Sequence, residues 1–355
     1  IRPISQCLAA NDIDEIAGIL NGTTNFILTK MITDGMTFDE ALLLAQKNGY
    51  AERDPSADVD GFDACRKICI LAALCFGKHV YPDAVYTEGI RKITLADVDY
   101  ARAWGGVIKL IAKAKKLEDG RVSVMVSPAF IQNHSQLASV DDVFNAILVR
   151  GDAIGDVVFY GKGAGKMPTA SAVVADVIDC AKHTAKRKAF GWGPAEDNYV
   201  IDPMLQSGAL YVRAETDDYI TAFNEVNKIF EAPHILHRED EPKTEIAFVT
   251  PVMREKEARA VKPLEILVAF FVLNVLAGDQ QLGHGVVVFP KELIVDVHQL
   301  ALAHGSCCLL GGNIRRTAAQ AQLANAHADG AGGDQHDLVS RVFHVAEDLA
   351  QRLHM

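Results

Sequence analysis

An acidic loop that leads into an apolar helix carries the most reactive side chains of the sequence. Its carboxylates are Glu52, Asp54, Asp58, Asp60 and Asp63. Lys67 follows Asp63 by four residues, so the two side chains share one helical face. Because the helix continues into an apolar run, we expect it to be buried, and a buried lysine beside carboxylates titrates readily. Lys67 is therefore a candidate general acid or base. A solvated surface ion pair explains the same spacing, and this alternative stays open.

The acidic loop does not fit a calcium site of the EF-hand type. With Gly61 at the sixth loop position, Asp58 and Asp60 fall at positions three and five, as such loops require. Position one is then Ser56, and position twelve is Lys67, where a bidentate glutamate is needed. The seven cysteines form no CxxC pair, so no zinc site is predicted either. We therefore expect no metal.

A glycine-rich segment at 159–174 reads FYGKGAGKMPTASAVV and superficially resembles a phosphate-binding loop. A P-loop needs glycine at position 160 and Ser or Thr at 167, where this chain has Tyr160 and Met167. The glycines run G-x-G-x-G, which also differs from the dinucleotide fingerprint. What remains is a turn before a helix that begins at Pro168, whose N-terminus suits an anionic cofactor. A tight strand-to-helix turn explains the same glycines, and both interpretations stay open.

A third segment, at 18–28, reads GILNGTTNFIL and places Gly22 and Thr23 just after an apolar element. Small residues and a hydroxyl at such a junction suit the edge of a binding site. The signal is weak by itself, because Asn-Gly is a common turn.

The elements that must position these segments are helices and strands in alternation. Thr37 and Glu40 form a capping box, which predicts a helix that ends near Asn48. Apolar patterns predict further helices at 62–76, 97–115, 140–145 and 169–185, and strands at 122–126, 146–149 and 157–160. A small βαββ module follows, with strand 209–214, helix 220–230 and strands 234–238 and 244–249. The predicted fold class is α/β, with an α+β region whose helices pack on a mostly β-sheet layer.

Length and composition limit the classes of function. The chain has 355 residues, of which 49% are hydrophobic, and a net charge of −11. The length predicts two or three domains, and the acidic balance argues against a protein that binds nucleic acid. The longest apolar run, at 264–277, contains Glu265 and is shorter than a membrane span. Cysteine usage fits a reducing compartment, so we expect a cytoplasmic protein without a membrane partner.

Taken in order, the segments at 18–31, 39–67, 88–93 and 159–177 resemble the catalytic region of homoserine dehydrogenases. The resemblance covers residues 1–185. It implies NAD(P)-dependent interconversion of the small molecules L-homoserine and L-aspartate 4-semialdehyde, in the biosynthesis of threonine, isoleucine and methionine. It also implies a homodimer that forms through the sheet of this region.

The resemblance assigns roles to individual residues. Lys67 matches the catalytic lysine, which exchanges a proton with the C4 oxygen of the substrate. Positions that bind the substrate match Glu52, Asp58, Asp63, Gly22, Thr23 and Tyr50. Positions near the nicotinamide cofactor, NAD or NADP, match Gly49, Gly163 and Gly165.

The resemblance also divides the chain into regions. Residues 1–185 are expected to form the catalytic and dimerisation domain, and residues 186–260 a linker and an ACT-like domain. In the latter, Thr216-Asp217-Asp218 replaces the usual Asp-x-Pro-Gly turn, so feedback by an amino acid is not predicted. Residues 261–355 match neither region, and we expect a helical, partly disordered or frame-shifted tail.

The family's dinucleotide-binding domain, with its GxGxxG turn, has no counterpart in these 355 residues. We therefore expect the chain to be a fragment that corresponds to the substrate half of the enzyme. The alternative is a non-catalytic protein, derived from the same family, that binds or senses an amino acid.

Overall fold

The structure, a computed structural model, describes residues 1–182, 191–254 and 256–257, together with the backbone of 267–276. These residues fall into two units, which are considered separately. The first contains residues 1–169 and the described residues from 191 to 276, and the second contains residues 170–182. No helix among the described residues is long and apolar enough to cross a bilayer.

One mixed sheet of eleven strands forms the framework of the first unit. The strands are β1 (Ile13–Ile19), β2 (Tyr86–Thr87), β3 (Gly106–Lys116), β4 (Val122–Gln132), β5 (Phe144–Gly151), β6 (Gly155–Lys162), β7 (Ser207–Thr216), β8 (His234–Leu236), β9 (Glu245–Val249), β10 (Met253–Arg254) and β11 (Leu267–Leu276). Their order is β6-β5-β1-β3-β4-β11-β7-β9-β8, with β2 beside β4 and β10 beside β7. The pairs β4–β11 and β2–β4 are parallel, and the other neighbours are antiparallel.

Eight α-helices accompany these strands in the described residues. They are α1 (Arg2–Gln6), α2 (Gly22–Asp34), α3 (Phe38–Lys47), α4 (Ser56–Val59), α5 (Phe62–Phe76), α6 (Leu95–Ala103), α7 (Lys166–Lys182) and α8 (Tyr219–Ile229). Successive side chains of a strand point to opposite faces, and β1 buries both. Ile16 packs with α2 and α5 in the larger core, whereas Ala17 and Ile19 lie in a second core with Leu137. Burial of both faces therefore explains why residues 16–19 of β1 carry no polar side chain.

The predicted α/β class is confirmed, and most short-range predictions hold. Thr37 and Glu40 form the expected capping box of α3, and α5 spans the predicted residues. The predicted strands at 122–126, 146–149 and 157–160 lie within β4, β5 and β6. The βαββ pattern is present as β7, α8, β8 and β9, while its identity as an ACT-like domain stays a prediction.

Three predicted helices differ from the structure. The helix predicted at 97–115 ends at Ala103, because Gly105 turns the chain with a φ of +87° and a strand follows. In that strand, Ile108 and Leu110 face one core while Ile111 faces the other, which is a period of two. The helix predicted at 140–145 is wrong, since β5 begins at Phe144.

The third helix, predicted at 169–185, begins earlier, at Lys166. Its predicted end, at 183–185, lies outside the described residues. Of the predicted tail at 261–355, the structure describes only β11, a strand that pairs with β4 and β7. The boundary predicted at 185 and 186 stays a prediction.

A buried cluster of charged and phenolic groups joins α6 to the βαββ module. Asp97, whose side chain is 0% exposed, accepts hydrogen bonds from Arg213 at 2.7 Å and from the Tyr211 hydroxyl at 3.0 Å. Arg213 also contacts Glu245 at 3.2 Å. Burial by itself would raise the pKa of Glu245, but hydrogen bonds from Arg238 and Tyr100 outweigh it and lower the pKa. The buried charges are thus paired, as burial requires.

This cluster predicts a large loss of stability on removal of Asp97. Asp97→Ala leaves the Arg213 guanidinium without its closest partner, so the free energy of unfolding should fall by about 3–5 kcal/mol. Asp99→Ala, on the same helix, removes a 44% exposed carboxylate paired with Arg102 and should change it by less than about 1 kcal/mol. Urea titrations measure both, and equal losses would contradict the assigned role of the cluster.

Candidate active site

The junction of β1 and α2 forms one wall of the candidate site. Asn21 is the N-cap of α2, and its side-chain oxygen accepts the Thr24 N–H at 2.9 Å. A helix leaves its first N–H groups without partners inside the helix, here those of Gly22 and Thr23, at the positive end of its dipole. A Cβ on Gly22 would lie 3.0 Å from the carbonyl oxygen of Val143, so glycine lets the loop before β5 pack closely.

Asn21 also connects this junction to the acidic loop. Its amide nitrogen donates to Asp58 Oδ1 at 2.7 Å and to Asp63 Oδ2 at 2.8 Å. Asn21 is only 5% exposed, whereas both carboxylates are partly exposed, so the bonds lie at the border between the interior and the open site. One amide group therefore holds the start of α2, the end of α4 and the first turn of α5 together.

Lys67 joins the same set of contacts from the second turn of α5. Its Nζ lies 2.6 Å from Asp63 Oδ2 and donates to the carbonyl oxygen of Leu20 at 3.0 Å. The predicted pairing of Asp63 with Lys67 across one helical turn is thus present. The expected burial of Lys67 is wrong, because 48% of its side chain is exposed. Helix α5 buries the face around Ile68 and Cys69 and leaves Lys67 on its open side.

The acidic loop is fixed from its other side by Arg91, in the segment after β2. The guanidinium contacts the Asp60 carboxylate at 2.5 Å and Ser56 Oγ at 3.1 Å. The hydrogen bond to Asp60 raises the pKa of Arg91, and the hydrogen bond from Ser56 lowers the pKa of Asp54. These contacts order α4, which carries Asp58.

A cavity of about 420 Å³ opens beside Lys67. Its walls include Leu20, which follows β1, Ile147 from β5, and the stretch from Phe159 to Gly163, where β6 ends. The wall is mainly apolar, with the Lys67 amine and the Asn145 amide among its polar groups. Such a mixture suits a ligand with an apolar ring or chain that is oriented by a few polar contacts.

Asn145 lies between two glycines of the site. A Cβ on Gly163 would sit 2.5 Å from Asn145 Nδ2, and one on Gly22 would sit 3.3 Å from Asn145 Oδ1. The Oδ1 atom is buried and has no hydrogen-bond partner among the described residues. The amide therefore fills the space between the start of α2 and the glycine-rich turn, and the glycine at 163 leaves room for it.

The structure brings together most of the residues that the sequence singles out. Asp58, Asp63 and Lys67 meet around Asn21, and Gly22 and Gly163 meet around Asn145. The hydroxyl of Thr23 donates to the carbonyl oxygen of Tyr50 at 2.7 Å, which places Tyr50 beside α2.

The remaining predicted residues lie apart from these contacts. The Glu52 side chain is exposed and forms no hydrogen bond or ion pair with the residues that the structure describes. Gly49 follows the end of α3, and neither it nor Gly165 lies on the cavity wall. In the described part of the chain, no group of three His, Cys, Asp or Glu side chains is placed to hold a metal ion.

Sequence reasoning missed Asn21 and Asn145. Asn21 had a usable signal, because an asparagine directly before a helix is a strong N-cap candidate. Asn145 had none, because its neighbours Gly22 and Gly163 are distant in sequence.

The packing of Asn145 predicts unequal effects at two nearby glycines. Gly163→Ala should lower the free energy of unfolding by about 1–3 kcal/mol, because its methyl group overlaps the Asn145 amide. Gly161→Ala is the matched control, since no atom lies within 4 Å of its Cβ position, and it should stay within about 1 kcal/mol of the wild type.

Urea titration measures both variants, and Asn145→Ala tests the cause. In an Asn145→Ala background the loss at Gly163→Ala should shrink, because the obstructing amide is gone. An undiminished loss would refute this account of the packing.

The sequence and the fold both match homoserine dehydrogenases. The homoserine dehydrogenase of Synechocystis sp. is 48% identical over 208 residues, which are 58% of this chain and 46% of that protein. The enzyme of Pseudomonas aeruginosa is 42% identical over 226 residues, which are 62% of this chain and 52% of that protein. The chain thus spans about half the length of the curated relatives it matches.

Solved structures agree with the sequence comparison. The crystal structure of a homoserine dehydrogenase from Thiobacillus denitrificans matches with a TM-score of 0.71 at 33% identity, over 78% of this chain and 67% of that one. The sequence model of the family described as homoserine dehydrogenase matches residues 1–178. The resemblance drawn from the motifs is confirmed, and the chain belongs to the homoserine dehydrogenase family.

Proposed function

We propose that this chain binds L-homoserine and L-aspartate 4-semialdehyde and supplies the acid–base lysine that interconverts them. The observation that carries the proposal is the contact series from Asn21 through Asp63 to Lys67 at the edge of the cavity. These contacts place two carboxylates, which suit the ammonium group of an amino acid, next to a lysine, and the chain belongs to the homoserine dehydrogenase family. The proposal includes the role of such enzymes in the biosynthesis of threonine, isoleucine and methionine.

The charges of the site match those of an α-amino acid. Asp58 and Asp63 are held side by side by Asn21 next to the cavity, and their carboxylates suit the α-ammonium group. The N–H groups of Gly22 and Thr23, at the start of α2, suit the α-carboxylate. We propose Glu52 and Tyr50 as further substrate contacts.

Lys67 then handles the proton at the C4 oxygen. In the direction of reduction, its ammonium group donates a proton to this oxygen as the carbonyl carbon gains a hydride. In the direction of oxidation, the neutral amine accepts the hydroxyl proton. Asp63 and the Leu20 carbonyl hold the Nζ atom in place, so that the proton is exchanged at a fixed position.

The residues present fit the nicotinamide end of the cofactor. Gly163 has no side chain, so it lines the cavity with backbone atoms alone, and it leaves room for the Asn145 amide behind it. Leu20 and Ile147 add apolar walls. We propose Gly49, Gly163 and Gly165 as the residues near the cofactor. Bound there, NAD or NADP would accept or supply the hydride.

We further propose a homodimer that forms through the sheet. Strand β6 ends the strand order and is largely exposed, so it offers an unpaired edge among the described residues. Sedimentation velocity would show a species of twice the monomer mass.

The acid–base role predicts that Lys67→Ala separates binding from turnover. Calorimetry should give an L-homoserine affinity within a few-fold of the wild type, because the ammonium and carboxylate contacts remain. The rate of L-homoserine-dependent NAD(P)H formation should fall by about 10²–10⁴-fold in any preparation that turns over. Lys78→Ala is the matched control, since Lys78 forms an ion pair of the same 2.6 Å length with Glu196 and should lose neither property.

Two outcomes would contradict the proposal. Unchanged turnover of Lys67→Ala would exclude this lysine as the acid–base group. Tight homoserine binding without turnover, even when a dinucleotide-binding domain is joined to the chain, would favour the non-catalytic alternative.

A further inference from the structure

We propose that Asn21 is a positioning residue for the amino-acid substrate. Its amide sets the spacing between the two carboxylates that take the α-ammonium group and the helix start that takes the α-carboxylate. This inference rests on the proposed function of the same site and deepens it.

The orientation of the Asn21 amide is fixed by its neighbours. Its oxygen must face the Thr24 N–H, which is a donor, and its nitrogen must face Asp58 and Asp63, which are acceptors when ionised. The reverse orientation would oppose donor to donor and oxygen to oxygen. The side chain is therefore locked in one state, as a positioning group must be.

Asn21 also offsets the repulsion between Asp58 and Asp63. The two carboxylates come from different helices, and the Asp58 side chain has no other hydrogen-bond partner among the described residues. Like charges this close repel each other, and a shared donor with two N–H groups holds both of them at a defined separation. Loss of the amide frees Asp58 to turn away from the position of the substrate ammonium.

The same chain segment holds the acid–base lysine. The carbonyl oxygen of Leu20, next to Asn21, accepts the Lys67 N–H, while Asn21 fixes the Asp63 oxygen that Lys67 also contacts. Leu20 and Asn21, which are consecutive in the chain, thus fix the Lys67 amine proposed for the C4 oxygen and the Asp63 carboxylate proposed for the α-ammonium group.

Two substitutions at position 21 separate capping from positioning. Serine and aspartate are both good N-caps, so Asn21→Ser and Asn21→Asp should keep α2 folded. Serine lacks the two-pronged donor, and aspartate adds a third negative charge beside Asp58 and Asp63. Thr37→Ser changes the N-cap of α3 instead and serves as the matched control.

The test is calorimetric titration of the chain and its variants with L-homoserine, with urea unfolding as a check of the fold. We expect about tenfold weaker binding for Asn21→Ser, a still larger loss for Asn21→Asp, and a change below about twofold for Thr37→Ser. In an Asp58→Asn background, Asn21→Ser should cost clearly less than in the wild type, because part of its effect acts through Asp58.

The outcomes keep the two proposals distinct. Homoserine binding by the wild type with an unchanged affinity in Asn21→Ser, or an equal loss in both backgrounds, would overturn the role of Asn21 alone. No homoserine binding by the folded wild type would overturn the proposed function and this inference with it. If Asn21→Asp fails to fold, Asn21→Ser decides the question.

Discussion

The candidate site depends on one shared amide, that of Asn21. Its oxygen begins α2, and its nitrogen binds carboxylates from α4 and α5, so three helices meet at one polar group. A buried amide with both ends satisfied is stable, whereas two carboxylates this close would otherwise repel each other. The ion pair between Asp63 and Lys67 is built on this contact, because Asn21 fixes the Asp63 oxygen that Lys67 meets.

The sheet holds the shared amide in place and builds the rest of the site around it. Strand β1, buried on both faces, ends two residues before Asn21, and its neighbour β5 carries Asn145 under the glycine-rich turn. On the other side of β4, the buried pair of Asp97 and Arg213 ties the βαββ module to α6, so the first unit packs as one body.

The sequence predicts the parts of the site that depend on short-range geometry. The capping box of α3 and the pairing of Asp63 with Lys67 follow from three- and four-residue spacings, and both are present. The burial of Lys67 could not be predicted, since it depends on which face of α5 the sheet covers. Nor could the bonds from Asn21 to Asp58 and Asp63, because these carboxylates lie 37 and 42 residues away along the chain. The sequence pattern of β3 predicts a helix because both faces of this strand are partly apolar, with Ile108 and Leu110 in one core and Ile111 in the other, which obscures the period of two.

The most direct measurement is a crystal structure of the chain with L-homoserine bound. The account predicts the α-ammonium group within hydrogen-bond distance of Asp58 and Asp63, and the α-carboxylate at the N–H groups of Gly22 and Thr23. It predicts the C4 hydroxyl within about 3.2 Å of Lys67 Nζ. Homoserine bound elsewhere, or bound with its C4 hydroxyl directed away from Lys67, would contradict the central claim.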